Sequence, residues 1–169
     1  YCDDRGFLQE YACAGVATCE ATTGRCTEPV GDDCLDPLDA NPAGTAMPRT
    51  ISGTFTGFAN DYDLGTGNQC TGSQTLGNEP VYVVDLLAGQ TLTASAVSTE
   101  TTPEDVALYV TAECSEIREQ CLAGADLEAG TTTPEQVTYT ATTDETIYLM
   151  VDSFYSTAAG AFDLTVTVN

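Results

Sequence analysis

Ala161-Phe162-Asp163-Leu164-Thr165-Val166-Thr167-Val168 decides the fold class of this chain. Phe162, Leu164, Val166 and Val168 fall on one face, and Asp163, Thr165 and Thr167 on the other. A period of two is the mark of a strand with one buried face. A helix would instead bring its apolar residues round roughly every three or four positions.

Working upstream, the same period returns. Residues 146–151, Thr146-Ile147-Tyr148-Leu149-Met150-Val151, are apolar on both faces and predict a central strand. Val137, Tyr139 and Ala141 alternate with Thr138 and Thr140. Val106, Leu108 and Val110 line up in another segment. Ala88-Gly89 turns the apolar run Val81–Leu86 into residues 90–97, with Leu92, Ala94 and Ala96 inward. Residues 49–58 set Ile51, Gly53, Phe55 and Gly57 against Thr50, Ser52, Thr54 and Thr56. Gly, Pro, Asn or Asp separates these segments, so the expected class is all-β, an antiparallel sandwich. Residues 112–122 are the one helix candidate, and with Cys114 and Cys121 inside they read better as a stapled loop. Threonine occurs 28 times. On outward strand positions it suits β geometry through its branched carbon. The favoured reading is a solvated sheet surface, over O-glycosylation or a flat face that templates a polymer.

The charge pattern removes whole classes of function. The chain has 169 residues, 26 of them Asp or Glu, only 4 Lys or Arg and no His, for a formal net charge of −22. The basic residues are Arg5, Arg25, Arg49 and Arg118. Without histidine there is no Ser-His-Asp triad and no imidazole metal ligand. Without lysine there is no Schiff-base nucleophile and no P-loop lysine. Nothing neutralises phosphates, so neither nucleic acid nor an anionic membrane surface is an expected partner. No apolar run approaches the roughly 18 residues of a spanning helix, so membrane insertion is not expected. The opening Tyr1-Cys2-Asp3-Asp4-Arg5 is polar, unlike a signal peptide, and suggests a mature chain or a fragment. The length suits one domain with a small appendage.

Cysteines stand at 2, 13, 19, 26, 34, 70, 114 and 121. An even number with no C-x-x-C points to disulfides rather than zinc, and hence to an oxidising compartment. Residues 1–33 hold four of them and little hydrophobic periodicity, which predicts a cysteine-rich cap needing staples. Within it, Thr18-Cys19-Glu20-Ala21-Thr22-Thr23-Gly24-Arg25-Cys26 reads as a hairpin, and Phe7-Leu8-Gln9-Glu10-Tyr11 as a short strand. A Pro/Asp-rich connector follows, held extended or turning by Pro37 and Pro42.

Five short stretches, taken in order, resemble a known family. Ile51-Ser52-Gly53-Thr54 with Asn60-Asp61-Tyr62-Asp63 resembles its first strand and acidic D-x-D. Leu87-Ala88-Gly89-Gln90-Thr91-Leu92 resembles its L-x-x-G-x-x-L turn. Asp105-Val106-Ala107-Leu108-Tyr109-Val110, Tyr148-Leu149-Met150-Val151 and Gly160-Ala161-Phe162-Asp163-Leu164-Thr165-Val166 resemble its later strands. Residues 34–169 thus resemble the bacterial pre-peptidase C-terminal domain, and are similar also to clostridial collagen-binding domains. The resemblance implies a secreted, jelly-roll-like β-sandwich without catalysis, carried as an accessory beside another functional unit. Glu145 departs from the small residue or glycine usual there, and the Cys34/Cys70 and Cys114/Cys121 pairs are additions.

The chemistry-bearing residues fall into three groups. For calcium, the one cofactor considered, the candidates are Asp61, Asp63 and Asn68, with Asp33, Asp36 and Asp39 of the connector. Ca²⁺ takes six to eight oxygens, and the resemblance implies an acidic leading segment that helps hold the ion. For ligand contact, Phe154-Tyr155 precedes a loop of small residues and is the expected patch. For the disulfides, Cys114 and Cys121 are near in sequence and are expected to staple one loop, leaving Cys34 with Cys70. Cys2, Cys13, Cys19 and Cys26 allow three pairings, of which Cys2–Cys13 with Cys19–Cys26 is preferred. Paired carboxylates for glycoside hydrolysis need a cleft, and an enzyme is not expected. The reading is a secreted or cell-surface module that binds an extracellular polymer or partner protein. The alternative is a fibre or surface-layer subunit that meets copies of itself through sheet edges or its N-terminal segment.

Overall fold

A computed structural model describes residues 18–20, 25–102, 104–127, 132–157 and 159–169. Strands β1 (Thr18–Glu20) and β2 (Arg25–Thr27) form the expected small hairpin, with Cys19 opposite Cys26 along the backbone. The expected strand at residues 7–11, and the pairings of Cys2 with Cys13 and of Cys19 with Cys26, concern positions or side chains outside the described residues.

Nine further strands build two sheets. They are β3 (Leu38–Asp39), β4 (Arg49–Thr54), β5 (Val81–Leu86), β6 (Thr91–Ser98), β7 (Val106–Thr111), β8 (Cys121–Ala125), β9 (Glu135–Thr140), β10 (Glu145–Ser153) and β11 (Ala161–Val168). One sheet has the order β3-β5-β10-β7-β8, the other β4-β11-β6-β9. All neighbours run antiparallel except β3 and β5. This is the all-β, two-sheet sandwich expected from the alternation.

The core lies between the sheets. Leu92, Ala94, Ala96, Phe162, Leu164 and Val166 face Val84, Leu108, Val110, Ile147, Leu149 and Val151, all buried. Burying one such side chain fully stabilises the fold by about 1.5–3 kcal/mol. Phe162 packs on Phe55 at a ring separation of 5.0 Å. Its ring also occupies the space where residue 53 would carry a Cβ, which would lie 2.3 Å from Phe162 Cζ. Gly53 therefore has a packing reason that the alternation alone does not state.

The expected central strand is β10, between β5 and β7. Its outward residues Met150 and Asp152 are buried because that end of the sheet's outer face is covered, while Tyr148 is half-buried and Thr146 exposed. Val81, Met150 and Tyr109 form one row across β5, β10 and β7, and Leu64 and Ile117 pack on that row from the loops. The helix candidate at 112–122 reduces to a 3-10 turn, Cys114–Glu116, and then the strand β8. That strand and the short β3 were not legible as strands.

Two disulfides pin the covering layer, and they correct the expected pairing. Cys34 bonds Cys114 and Cys70 bonds Cys121, with Cα separations of 6.3 and 5.8 Å. Cys114 and Cys121 do not staple one loop, because the chain turns between them and Cys121 enters the sheet. The loop bearing Cys70 lies directly against β8, where a Cβ on Gly124 would come within 2.8 Å of the Cys70 backbone. Cys34 reaches the same layer beside Tyr62, whose hydroxyl accepts from the Cys34 amide at 3.3 Å. Closeness in space across layers, not in sequence, selects the partners. Among the described residues, no helix is long and apolar enough to cross a membrane.

Candidate functional site

The covering layer gathers most of the acidic residues singled out from the sequence, but puts them chiefly to local work. Asp33 Oδ1 accepts the Leu35 and Asp36 amides at 2.8 and 3.2 Å. Asp39 Oδ1 accepts the Asn41 amide at 3.0 Å, and Asp63 Oδ1 the Gly65 amide at 2.6 Å. These are the side-chain-to-backbone bonds by which Asp shapes a turn. Asn68 is the hub of its loop. Its Oδ1 accepts the Cys70 and Thr71 amides at 2.8 Å each, and its amide donates to the Gly65 and Ser73 carbonyls. Asp36 is exposed. Asp61 is held above the usual carboxylate range, first by burial and then by the charge of Asp33. Among the described residues, no group of three or more His, Cys, Asp or Glu side chains is placed to hold a metal ion.

Beneath the layer lies a set of buried acids, of which Glu79 escaped the sequence reading. Asp32, Glu79 and Asp152 are at most 1% exposed. Asp32 Oδ1 accepts the Ala59 amide at 2.6 Å. Glu79 Oε1 accepts the Asp61 and Tyr62 amides at 2.7 and 2.8 Å, while its Oε2 is buried with no hydrogen-bond partner. Asp152 Oδ1 accepts the Ser153 amide at 2.6 Å, and Oδ2 accepts the Tyr109 hydroxyl at 3.0 Å. That hydroxyl also lies 3.1 Å from the Tyr62 carbonyl.

Burial disfavours the charged form of each of these acids. It drives Glu79 up to about 9, helped by the Asp152 charge and opposed by the two amide bonds. Burial likewise raises Asp152, against the lowering pull of its hydrogen bonds from Ser153, Thr75 and Tyr109. Desolvation also lifts Asp32 and Tyr109. Burial thus favours the protonated form of the Glu79–Asp152 pair, and Glu79 anchors Asp61 and Tyr62 while Asp32 anchors Ala59. The only trace in sequence is an acid just ahead of an apolar strand, Asn78-Glu79-Pro80-Val81. Asp152 directly follows the run 146–151 of the expected central strand, and its burial continues that of Met150 and Val151. A further raised carboxyl, Asp126, is pushed up to about 6 by burial and by Asp105.

Above these residues an open groove of about 470 Å³ runs past Asp61, Tyr62, Asp63, Ser115, Ile117 and Arg118. The Arg118 guanidinium donates to the Asp63 carbonyl through Nε at 3.2 Å and Nη2 at 3.0 Å. Gly65, at φ +67°, leaves room for it, since a Cβ there would lie 2.6 Å from Nη2. At the end of the sandwich Phe154 and Tyr155 meet edge-to-face at 5.1 Å. Phe154 is half-buried, its amide donating to the Asp105 carbonyl at 3.0 Å, and Tyr155 is 51% exposed.

The four-stranded sheet presents a different surface. Every outward position of β4, β6, β9 and β11 is Ser or Thr except Val97, Gln136, Ala161 and Asp163. The register sets Thr50, Thr165, Ser95 and Gln136 in one row, and Thr167, Thr93 and Thr138 in another. Thr50 and Thr165 share a hydrogen bond at 3.1 Å, Thr91 and Thr140 one at 2.9 Å, and Ser52 donates to Asp163 at 2.8 Å.

No protein-family model matches the chain, and no curated protein matches it. Solved structures with a similar fold include the pre-peptidase C-terminal domain of a collagenase from Bacillus anthracis. It is 13% identical, with 71% of this chain and 89% of that chain covered and a TM-score of 0.46. A periplasmic inhibitor of g-type lysozyme from Aeromonas hydrophila is 13% identical over 79% of this chain and 96% of that one, at a TM-score of 0.48. The K3 cleaved adhesin domain of Lys-gingipain from Porphyromonas gingivalis is 16% identical over 71% and 72%, at 0.42.

Proposed function

We propose that this chain is a non-catalytic, secreted or cell-surface module that binds an extracellular polymer or a partner protein. The observation that carries the reading is the asymmetry of the sandwich. One sheet has its outer face covered, around the Val81–Met150–Tyr109 row, by a layer held by Cys34–Cys114 and Cys70–Cys121. The other turns a rigid, ordered array of hydroxyls outward. Such a scaffold holds a contact surface in place without needing that surface to contribute to the core. Disulfides support an oxidising, extracellular setting. Phe154 and Tyr155 remain the aromatic contact in this reading, Tyr155 supplying exposed area at small entropic cost. Calcium enters as a surface counter-ion near Asp33 and Asp61, where it would relieve like charge.

A second reading, a subunit of a fibre or surface layer, is favoured by one feature. β4 is an edge strand of its sheet, paired on one side only, with β11, among the described residues. An unpaired edge templates strand addition. Size exclusion with electron microscopy separates the two. A monomer retained by an extracellular polymer or protein in pull-downs supports the module. Ligand-independent filaments or large assemblies overturn it in favour of the fibre.

A further inference from the structure

We infer that the outward face of the β4-β11-β6-β9 sheet is the contact surface, and that its partner is an uncharged polysaccharide in extended form. The inference rests on the binding-module reading and names the ligand class of that module.

The first argument is charge. The chain carries −22, yet this face holds a single carboxylate, Asp163, which already accepts the Ser52 hydroxyl. An anionic polymer gains nothing on such a face and is repelled by the rest of the chain. A cationic polymer is drawn to the acidic layer on the opposite sheet, around Asp61 and Asp63. A neutral polymer is the partner for which the face has no electrostatic penalty, and charge depletion at a contact is what marks its centre.

The second argument is hydrogen-bonding type. A hydroxyl both donates and accepts, so Ser and Thr rows match a ligand whose own groups are hydroxyls. Strands about 4.8 Å apart, with outward residues about 6.8 Å apart along each, repeat these groups in two directions. Cross-strand bonds such as Thr50 with Thr165 and Thr91 with Thr140 hold the array in one arrangement before any ligand arrives, and preorganisation lowers the cost of binding.

The third argument concerns length. No aromatic side chain occupies the face, so no sugar ring stacks on it. Each hydroxyl contact contributes only about 0.5–1.5 kcal/mol net. Retention therefore needs many contacts along one chain, and short sugars bind weakly or not at all.

The test is depletion of the full chain from solution by insoluble polymers. Microcrystalline cellulose and an insoluble β-glucan are the neutral probes, with calcium alginate as the anionic probe and chitosan as the cationic one. The variants are Thr93→Glu with Thr165→Glu at the centre of the face, and Leu35→Ser, exposed and away from this face, as the control. Far-UV circular dichroism and thermal melts verify folding, and Thr93→Gln with Thr165→Gln repeats the test without added charge if the Glu pair does not fold. The expected result is depletion by a neutral polymer, weakened roughly tenfold or more by the face variant, as losing one to two hydrogen bonds would give. The Leu35→Ser control and an excess of monosaccharide leave it unchanged. Retention by a neutral polymer that the face variants do not alter overturns the inference and leaves the module reading intact. So does retention by charged polymers or by protein alone. Filaments with no retention anywhere overturn both.

Discussion

Tyr109 donates its hydroxyl to Asp152 Oδ2 at 3.0 Å on the outer face of a sheet, where both residues are fully buried under a stapled layer. Glu79, equally buried, faces the same group of charges and has one oxygen without a partner. A layer rich in acids is thus anchored to the sheet by buried carboxyls that accept its backbone amides.

The pH dependence of stability follows. Glu79 has an ordinary value of 4.5, and burial with the Asp152 charge raises it to about 9 in the fold. The native state therefore binds more protons than the unfolded one across that interval, and stability falls as pH rises through it. One proton corresponds to a slope of about 1.4 kcal/mol per pH unit. Urea unfolding between about pH 5 and about pH 9 at fixed ionic strength is expected to show this decline, and Glu79→Gln to flatten it. Equal slopes in the two proteins would refute the assignment.

Removing Cys34–Cys114 by Cys34→Ser with Cys114→Ser is expected to lower stability by about 2–4 kcal/mol, since it opens a long loop. The loss is local in structure. Amide exchange is expected to quicken at Asp61 and Tyr62, which Glu79 holds, before it quickens at Leu164 in the core. Uniform acceleration across the chain would show that the layer is not a separate unit.

At Gly53 the expected effect is steric. Gly53→Ala drives a methyl into the Phe162 ring and is expected to destabilise by about 1–3 kcal/mol. In a Phe162→Leu background the same change is expected to cost less, so a double-mutant cycle measured by denaturant unfolding gives a non-zero coupling. Strict additivity would place the cost elsewhere.

Calcium has its own measurement. With calcium bridging Asp33 and Asp61, thermal melts are expected to shift upward relative to chelator. Asp61→Asn is expected to remove most of that shift, and added monovalent salt to shrink it by screening. Superimposable melts in calcium and in chelator eliminate this part of the reading.

Much of the sandwich is legible without coordinates because alternation is a local property. Phe162-Asp163-Leu164 shows which side chains face in whatever the partner strand is, and residues 147–151 mark a strand that is buried on both faces except at the half-buried Tyr148. β8 escaped because Cys121-Leu122-Ala123-Gly124-Ala125 carries no alternation. Its strand character comes from pairing with β7, across a register irregularity at Val110/Thr111. The Asp and Asn residues chosen for calcium were legible as loop acids. For Asp33, Asp39, Asp63 and Asn68 the partners are backbone amides two or three positions on, which compete with any ion for the same oxygens.

By itself, then, the sequence determined the all-β class, the core-facing residues, the acid excess and the absence of histidine and lysine chemistry, since each depends on residue type or on spacing along one strand. Three things were decided only in tertiary structure: the pairing of Cys34 with Cys114 and of Cys70 with Cys121, the burial of Glu79 and Asp152, and which sheet face is covered. All three depend on which distant segments the sheets bring into contact. Pairing requires sulfurs to meet in space, and a carboxyl's proton affinity depends on what excludes water from it. Neither distance nor burial is a property of a residue's neighbours in the chain.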